Sequence, residues 1–386
     1  MKKITLLIAL TCIFHFTANS QSCLPEGITF TTQAQIDSFQ IIHPNCTQIL
    51  GEVRIWGVND INNLNGLNVL TSIDSSFIIT FSPNLTNLTG LNAITSIGGD
   101  MQLYFTNLTS FTGLDSLVSI GGNFISFDQA ALTNLTGLGS LTSVGGNFSI
   151  ESADDLINLT GLGSLTSIGG VVSLSTNPSL TSLSGLDAVT SIGGGVSIVA
   201  NFALTSITGL NDVTSLGGSR LNIFANNILL SLSGLDNIEP ATIDSIIISH
   251  NFSLSTCEVE SICDYLSIPN GFIVIQDNAP GCNSQDEVEA ACETITVNET
   301  KFSDNLIIHP NPFTTSTTIE YELKHSSSVQ ITIYNHLGEQ VEVIKQKQSS
   351  GKQQVVWNAI GLPSGVYYFQ MQAGEQLASR KIMVVK

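Results

Sequence analysis

The sequence predicts a chain dominated by β-structure: a right-handed parallel β solenoid followed by a C-terminal antiparallel β-sandwich. Three observations lead there. A Gly-Leu pair recurs with its glycine at Gly66, Gly90, Gly113, Gly137, Gly161, Gly185, Gly209 and Gly234, each 23 to 25 residues after the last, and a fixed period of that size marks stacked repeats. Within each repeat the apolar period changes from three to two. After Glu293 the repeat stops and lysine-bearing, alternating segments take over.

Residues 1–20 carry Lys2 and Lys3, an apolar run from Ile4 to Phe14, and Ala18-Asn19-Ser20. This order reads as a signal peptide cleaved before Gln21. No later window reaches the ~20 uninterrupted apolar residues of a membrane-spanning helix. Residues 21–52 form an N-terminal cap with Cys23 and Cys46, and residues 256–293 form a second cap with Cys257, Cys263, Cys282 and Cys292. An even set of cysteines in an exported chain reads as disulfides, and here they flank the two open ends of the repeat array. Cys23–Cys46 is the natural first pair; the last four leave three pairings open. Zinc is not expected, because there is no CxxC and only His250 lies near the second group.

The solenoid spans residues 53–255. Apolar residues fall at every third position around each Gly-Leu pair, as in Leu85, Leu88, Leu91, Ile94 and Ile97, which fits 3₁₀ or polyproline-type segments. A double glycine follows, for example Gly98-Gly99 and Gly121-Gly122, and is expected to supply the positive φ of a tight corner. Alternation by two then gives a short strand, as in Met101/Leu103 and Phe148/Ile150. No coil can bury its own apolar edge, so the coils stack with their strands ~4.8 Å apart in a parallel sheet. Ser72, Ser96, Ser119, Ser143, Ser167, Ser191 and Ser215 hold one equivalent position and are expected to form a hydrogen-bonded ladder. Triplets such as Asn84-Leu85-Thr86 and Asn251-Phe252-Ser253 follow from the repeat consensus.

Residues 21–300 hold 25 acidic side chains against Arg54 and Arg220, whereas residues 301–386 hold 8 basic and 6 acidic ones. So acidic a body would repel nucleic acid and anionic lipid, which require Lys and Arg to displace counterions. Catalysis is not expected either: residues 21–300 contain only His43 and His250, with no HExxH, no GxSxG and no phosphate-cradling loop. No cofactor or metal is implied. The functional candidate is the outward row of the sheet, where solenoids meet their partners. Alternation places Arg54, Trp56, Ile78, Thr80, Gln102, Tyr104, Ile125 and Phe127 there, followed by Ser149, Glu151, Ser173, Ser175, Ser197, Val199, Asn222 and Phe224. The first half of that row is aromatic and apolar, the composition of a contact surface for an extracellular protein or glycan. The alternative is a surface-layer or matrix component whose rod only spaces other things.

Over residues 45–255 the pattern resembles the leucine-rich-repeat class, and more closely the receptor L-domain subtype of insulin- and EGF-receptor ectodomains. Asn45-Cys46-Thr47-Gln48-Ile49-Leu50-Gly51-Glu52-Val53-Arg54-Ile55 is similar to the opening motif of that family. The resemblance implies architecture and a binding tendency, not a growth-factor ligand. Residues 294–304 form a polar linker, and a last domain covers residues 305–386. There His309-Pro310-Asn311-Pro312-Phe313, Ile331 to Asn335 with Gly338, Gly365-Val366-Tyr367-Tyr368-Phe369 and Lys381-Ile382 resemble, in order, the type IX secretion sorting domain of Bacteroidota. That resemblance implies an Ig-like sandwich recognised by the outer-membrane translocon and a chain that is secreted or attached to the outer cell surface.

Overall fold

The computed structural model describes residues 21–57, 60–269, 271–295, 306–323, 326–335, 339–373 and 376–386. The expected signal peptide, nearly all of the linker and Gly338 of the sorting motif lie outside them. The chain divides into two compact units that meet between Cys292 and Glu293.

In the first unit each coil contributes one strand to an 11-stranded sheet. Ile28–Phe30, Val53–Trp56, Phe77–Ser82, Met101–Thr106, Phe124–Phe127 and Phe148–Glu151 pair in parallel. Val172–Ser175, Val196–Val199, Ser219–Phe224, Ile243–Ser249 and Ile273–Gln276 continue the series. The sheet therefore runs past both expected solenoid boundaries. Each cap donates a strand, because an uncovered sheet edge would leave a row of backbone groups unpaired. A second, 8-stranded sheet collects short strands such as Ser72–Ile73, Ser96–Ile97 and Ser143–Val144 on the other side of each coil.

Between the two sheets runs the apolar arc, and its three-residue period has a direct cause. The Leu91 amide donates to Leu88 O (3.1 Å) and the Ile94 amide to Leu91 O (3.0 Å), and Leu114 and Leu117 repeat the pattern with Phe111 and Leu114. Each such i to i+3 bond turns the chain so that the next bonded residue faces inward again. Leu91, Leu114, Leu138 and Leu162 are fully buried in one column, and each side chain taken from water contributes about 1.5–3 kcal/mol.

The glycines act differently from the sequence expectation. Most double glycines do not adopt positive φ; Gly217 and Gly218 do. At the others the requirement is close stacking: a Cβ on Gly121 would lie 2.2 Å from Gly98 O, and one on Gly145 2.2 Å from Gly121 O. Positive φ belongs instead to six of the eight Gly-Leu glycines, all but Gly66 and Gly209. Gly113 has φ +110°, and a Cβ there would lie 2.1 Å from Leu88 O, so both conformation and space select glycine.

Side-chain ladders run along the stack. The expected serine ladder pairs through its backbone, Ser143 opposite Ser119 and Ser167. The hydroxyl ladder belongs to the preceding residue: Thr166 Oγ1 donates to Thr142 O (3.2 Å) and Thr190 Oγ1 to Thr166 O (3.4 Å). A third ladder is asparagine. Asn177, Asn201, Asn226 and Asn251 are fully shut from solvent, and each receives its predecessor's backbone N–H on Oδ1. Asn278 closes the series by accepting from Asn251 N (3.0 Å). Asn251, one of the triplet asparagines, is thus a structural element.

The caps close on three disulfides: Cys23–Cys46, Cys257–Cys282 and Cys263–Cys292, with Cα separations of 5.7, 5.6 and 5.6 Å. The last two select one of the three open pairings. Helix Gln33–Asp37, opened by a capping box between Thr32 and Gln35, seals the N-terminal end with Ile36, and Phe39 of the next turn packs on Phe30. Helix Glu260–Ser267 buries Ile262, Tyr265 and Leu266 at the other end.

The second unit packs a 3-stranded sheet (Ile307–His309, Ser316–Leu323, Gly351–Asn358) on a 4-stranded one (Ser327–Asn335, Gln340–Gln348, Gly365–Ala373, Gln376–Val384). All neighbours within each sheet are antiparallel. Trp357 fills the centre, edge-on to Phe313 (5.4 Å) and Tyr367 (5.8 Å), and its indole N–H donates to Glu342 Oε2 at 2.9 Å.

Candidate functional site: the aromatic end of the long sheet

The pairing register converts the alternation of single strands into rows across coils. Arg54, Ile78, Gln102 and Ile125 are successive partners, as are Trp56, Thr80, Tyr104 and Phe127. All eight of these residues, expected on the face, therefore do lie together. They are not equally available. Ile78 is only 8% exposed and so offers a partner little surface. Arg54 is held by Glu52, whose Oε1 accepts from Nε (3.0 Å) and one Nη (2.8 Å). Trp56 stands half exposed, at 50%.

A third row escapes alternation. From the strand at Phe77 onward, the chain takes one residue in the left-handed region at or just past the end of the face strand: Phe81 (φ +49°), Phe105 (+54°), Asp128 (+54°) and Ser152 (+58°) in the first of these coils. A bulky residue seldom adopts this conformation, which costs of order 1–3 kcal/mol. The turn points Phe81 and Phe105 outward beside the Trp56 row, 48% and 39% exposed. Their rings stack at 4.8 Å and 11°, Phe105 meets Phe127 edge-on at 5.5 Å, and Tyr104 lies 6.3 Å from Phe127. Sequence reasoning missed this pair because it ended the strand pattern one residue too soon. The signal was there, two phenylalanines 24 residues apart at the same repeat position.

The polar groups on the face are bonded among themselves. Tyr104 Oη donates to Gln102 Oε1 (3.3 Å), and Gln102 Nε2 donates to Asp100 Oδ2 (2.9 Å). Asp100 Oδ1 accepts from the backbone N–H (2.7 Å) and Nδ2 (3.0 Å) of Asn123. Partial burial first, and the Asp100 carboxylate second, hold the Tyr104 phenol above the usual tyrosine range, so it stays a neutral donor throughout the physiological range. The arrangement offers apolar area with a fixed polar border. Further along, the same rows become Ser149, Ser173 and Ser197, and Glu151, Ser175 and Val199, so the aromatic character lapses over these coils before returning at Phe224, whose ring packs on His250 at 5.0 Å.

In the second unit the sorting-motif residues come together although they lie at opposite ends of the domain. Asn311 Nδ2 donates to Lys381 O (3.1 Å), and Met383 N donates to Asn311 Oδ1 (2.8 Å). The amide of Phe313 donates to Met383 O (3.0 Å), and that of Val385 returns to Phe313 O (2.8 Å). Pro310 O accepts from Thr317 Oγ1 (2.7 Å), and Tyr367 Oη donates to Pro363 O (3.0 Å). Pro312 and Lys381 are exposed, and Gly365 opens the strand that carries Tyr367.

Residues 307–385 match the secretion system C-terminal sorting domain. A comparison with curated proteins finds no match. The sorting domain indicates export by type IX secretion to the cell surface or beyond, and hence interaction with that secretion system. Among the described residues no helix is long and apolar enough to cross a membrane.

Proposed function

We propose that the solenoid is a non-catalytic recognition or adhesion module of the receptor L-domain type, displayed outside the cell. It grips an extracellular protein or glycan through the first coils of its long sheet. The observation that carries this reading is the run of rings at Trp56, Phe81, Phe105, Tyr104 and Phe127, the first three exposed and the last two partly so, drawn from four successive coils onto one face. Isolated exposed apolar residues are ordinary on soluble proteins; a contiguous aromatic patch on rigid strands is the composition of a contact surface.

In this reading a signal peptide over residues 1–20 is removed before Gln21, and the sorting domain completes export. The purified mature chain, tested against protein and glycan arrays, is expected to show saturable binding to a restricted set of ligands. Trp56→Ala and Tyr104→Ala are each expected to weaken it by at least about tenfold, the loss typical of a central aromatic anchor. Self-assembly without any ligand would favour the purely architectural role instead.

A further inference from the structure

We infer that the partner of the aromatic face is a protein segment carrying Lys or Arg beside an apolar anchor, rather than a neutral glycan. The inference rests on the recognition role proposed above and adds the chemistry of the partner. Three features of the face converge on it.

Phe81, Phe105, Tyr104 and Phe127 pack against one another and leave edges and partial faces rather than open platforms. Phe81 and Phe105 cover one another at 4.8 Å and 11°, and Phe105 abuts Phe127 edge-on. A sugar needs a free ring face on which to lay its C–H surface, whereas an aliphatic or aromatic side chain packs equally well against edges. The polar groups of the face are also already used. Tyr104, Gln102, Asp100 and Asn123 form one closed relay, so the dense hydrogen bonding that sugar hydroxyls require would have to displace bonds already made.

What remains unsatisfied next to the rings is negative charge. Glu151 is the row partner of Phe127. Asp128 follows Phe127 directly and occupies the position after Phe105 in the left-handed column. Asp154 and Asp155 lie exposed just beyond. None of these four carboxylates makes an ion pair among the described residues. Residues 21–300 contain no cation to neutralise them other than Arg54, bound to Glu52, and Arg220, which bonds Ser245 Oγ. A partner ammonium or guanidinium would meet free carboxylates at the margin of the packed rings, a contact that favours a cation.

The test uses the mature full-length chain, panned against a random-peptide display library and in parallel against an array of neutral and acidic glycans. Enriched peptides are expected to combine Lys or Arg with an aromatic or aliphatic residue. Affinity for one such peptide is expected to fall about tenfold in Asp128→Asn/Glu151→Gln and to fall again as salt is raised. Asn tolerates the left-handed backbone at position 128, so this pair of changes leaves the fold intact, as circular dichroism would verify. Trp56→Ala is expected to abolish capture. If capture depends on Trp56 but is indifferent to salt and to the two carboxylates, or if neutral glycans are captured in their place, the cationic partner is refuted while the recognition role stands. If no capture depends on Trp56, both are refuted.

Discussion

Ser126 faces the interior between Leu103 and Ile150, its register partners in the inward column. It is fully buried, and its hydroxyl has no hydrogen-bond partner. An orphaned buried hydroxyl costs about 1–3 kcal/mol, so Ser126→Ala is expected to raise the free energy of unfolding by about 1 kcal/mol in guanidinium titration. A loss of stability would mean that the hydroxyl is satisfied. At this scale the sequence is only partly informative. Position 126 is recognisably inward because its neighbours alternate, but nothing in a lone serine says whether its oxygen finds a partner. The same limit hid Phe81 and Phe105: a left-handed residue other than glycine carries no local signature, and only its recurrence at one repeat position reveals it. The double glycines show the reverse case. Their spacing identifies a corner, yet whether glycine is needed for its φ or for the space it leaves depends on the coil stacked beneath, as Gly121 on Gly98 illustrates.

The elements owe their order to ladders that cross them. Asn201 accepts from the backbone N–H and Nδ2 of Asn177 (both 3.1 Å) and donates Nδ2 to Leu174 O at 3.0 Å. Each strand end is thereby tied to the coils on both sides. Asn201→Ala would leave the Asn177 N–H and one amide hydrogen buried and unpaired, and is expected to destabilise the solenoid by about 2–4 kcal/mol in the same titration. A loss under about 0.5 kcal/mol, the size of an ordinary surface change, would refute the ladder. Strand positions and the three-residue arc were legible because both arise from local periodicity. The ladder was not, since Asn177, Asn201 and Asn226 look in sequence like turn residues and Asn251 like a glycosylation triplet. In the second unit the sorting motif was legible residue by residue, but the pairing of Asn311 with the Lys381–Met383 backbone required the fold. That contact joins the two ends of the matched domain, the turn after its first strand and its last strand.

At the scale of the molecule, an acidic, disulfide-capped stack of coils carries a cluster of stacked rings on the first coils of its long sheet, and a sandwich domain serves export. The face exists only because one coil advances each row by one strand. Residues as far apart in sequence as Trp56 and Phe127 come to lie three strands apart in one row by this rule alone. Pulsed electron resonance between nitroxides carried on encoded unnatural residues tests it most directly. Thr29 and Ser149 are five strand steps apart in one outward row, and Thr29 and Asn222 are eight. At ~4.8 Å per step the two label pairs are expected near ~24 Å and ~38 Å, a difference set by three added strands. Distances that fail to grow with the number of intervening coils would contradict the stacked register and, with it, the existence of a shared aromatic face.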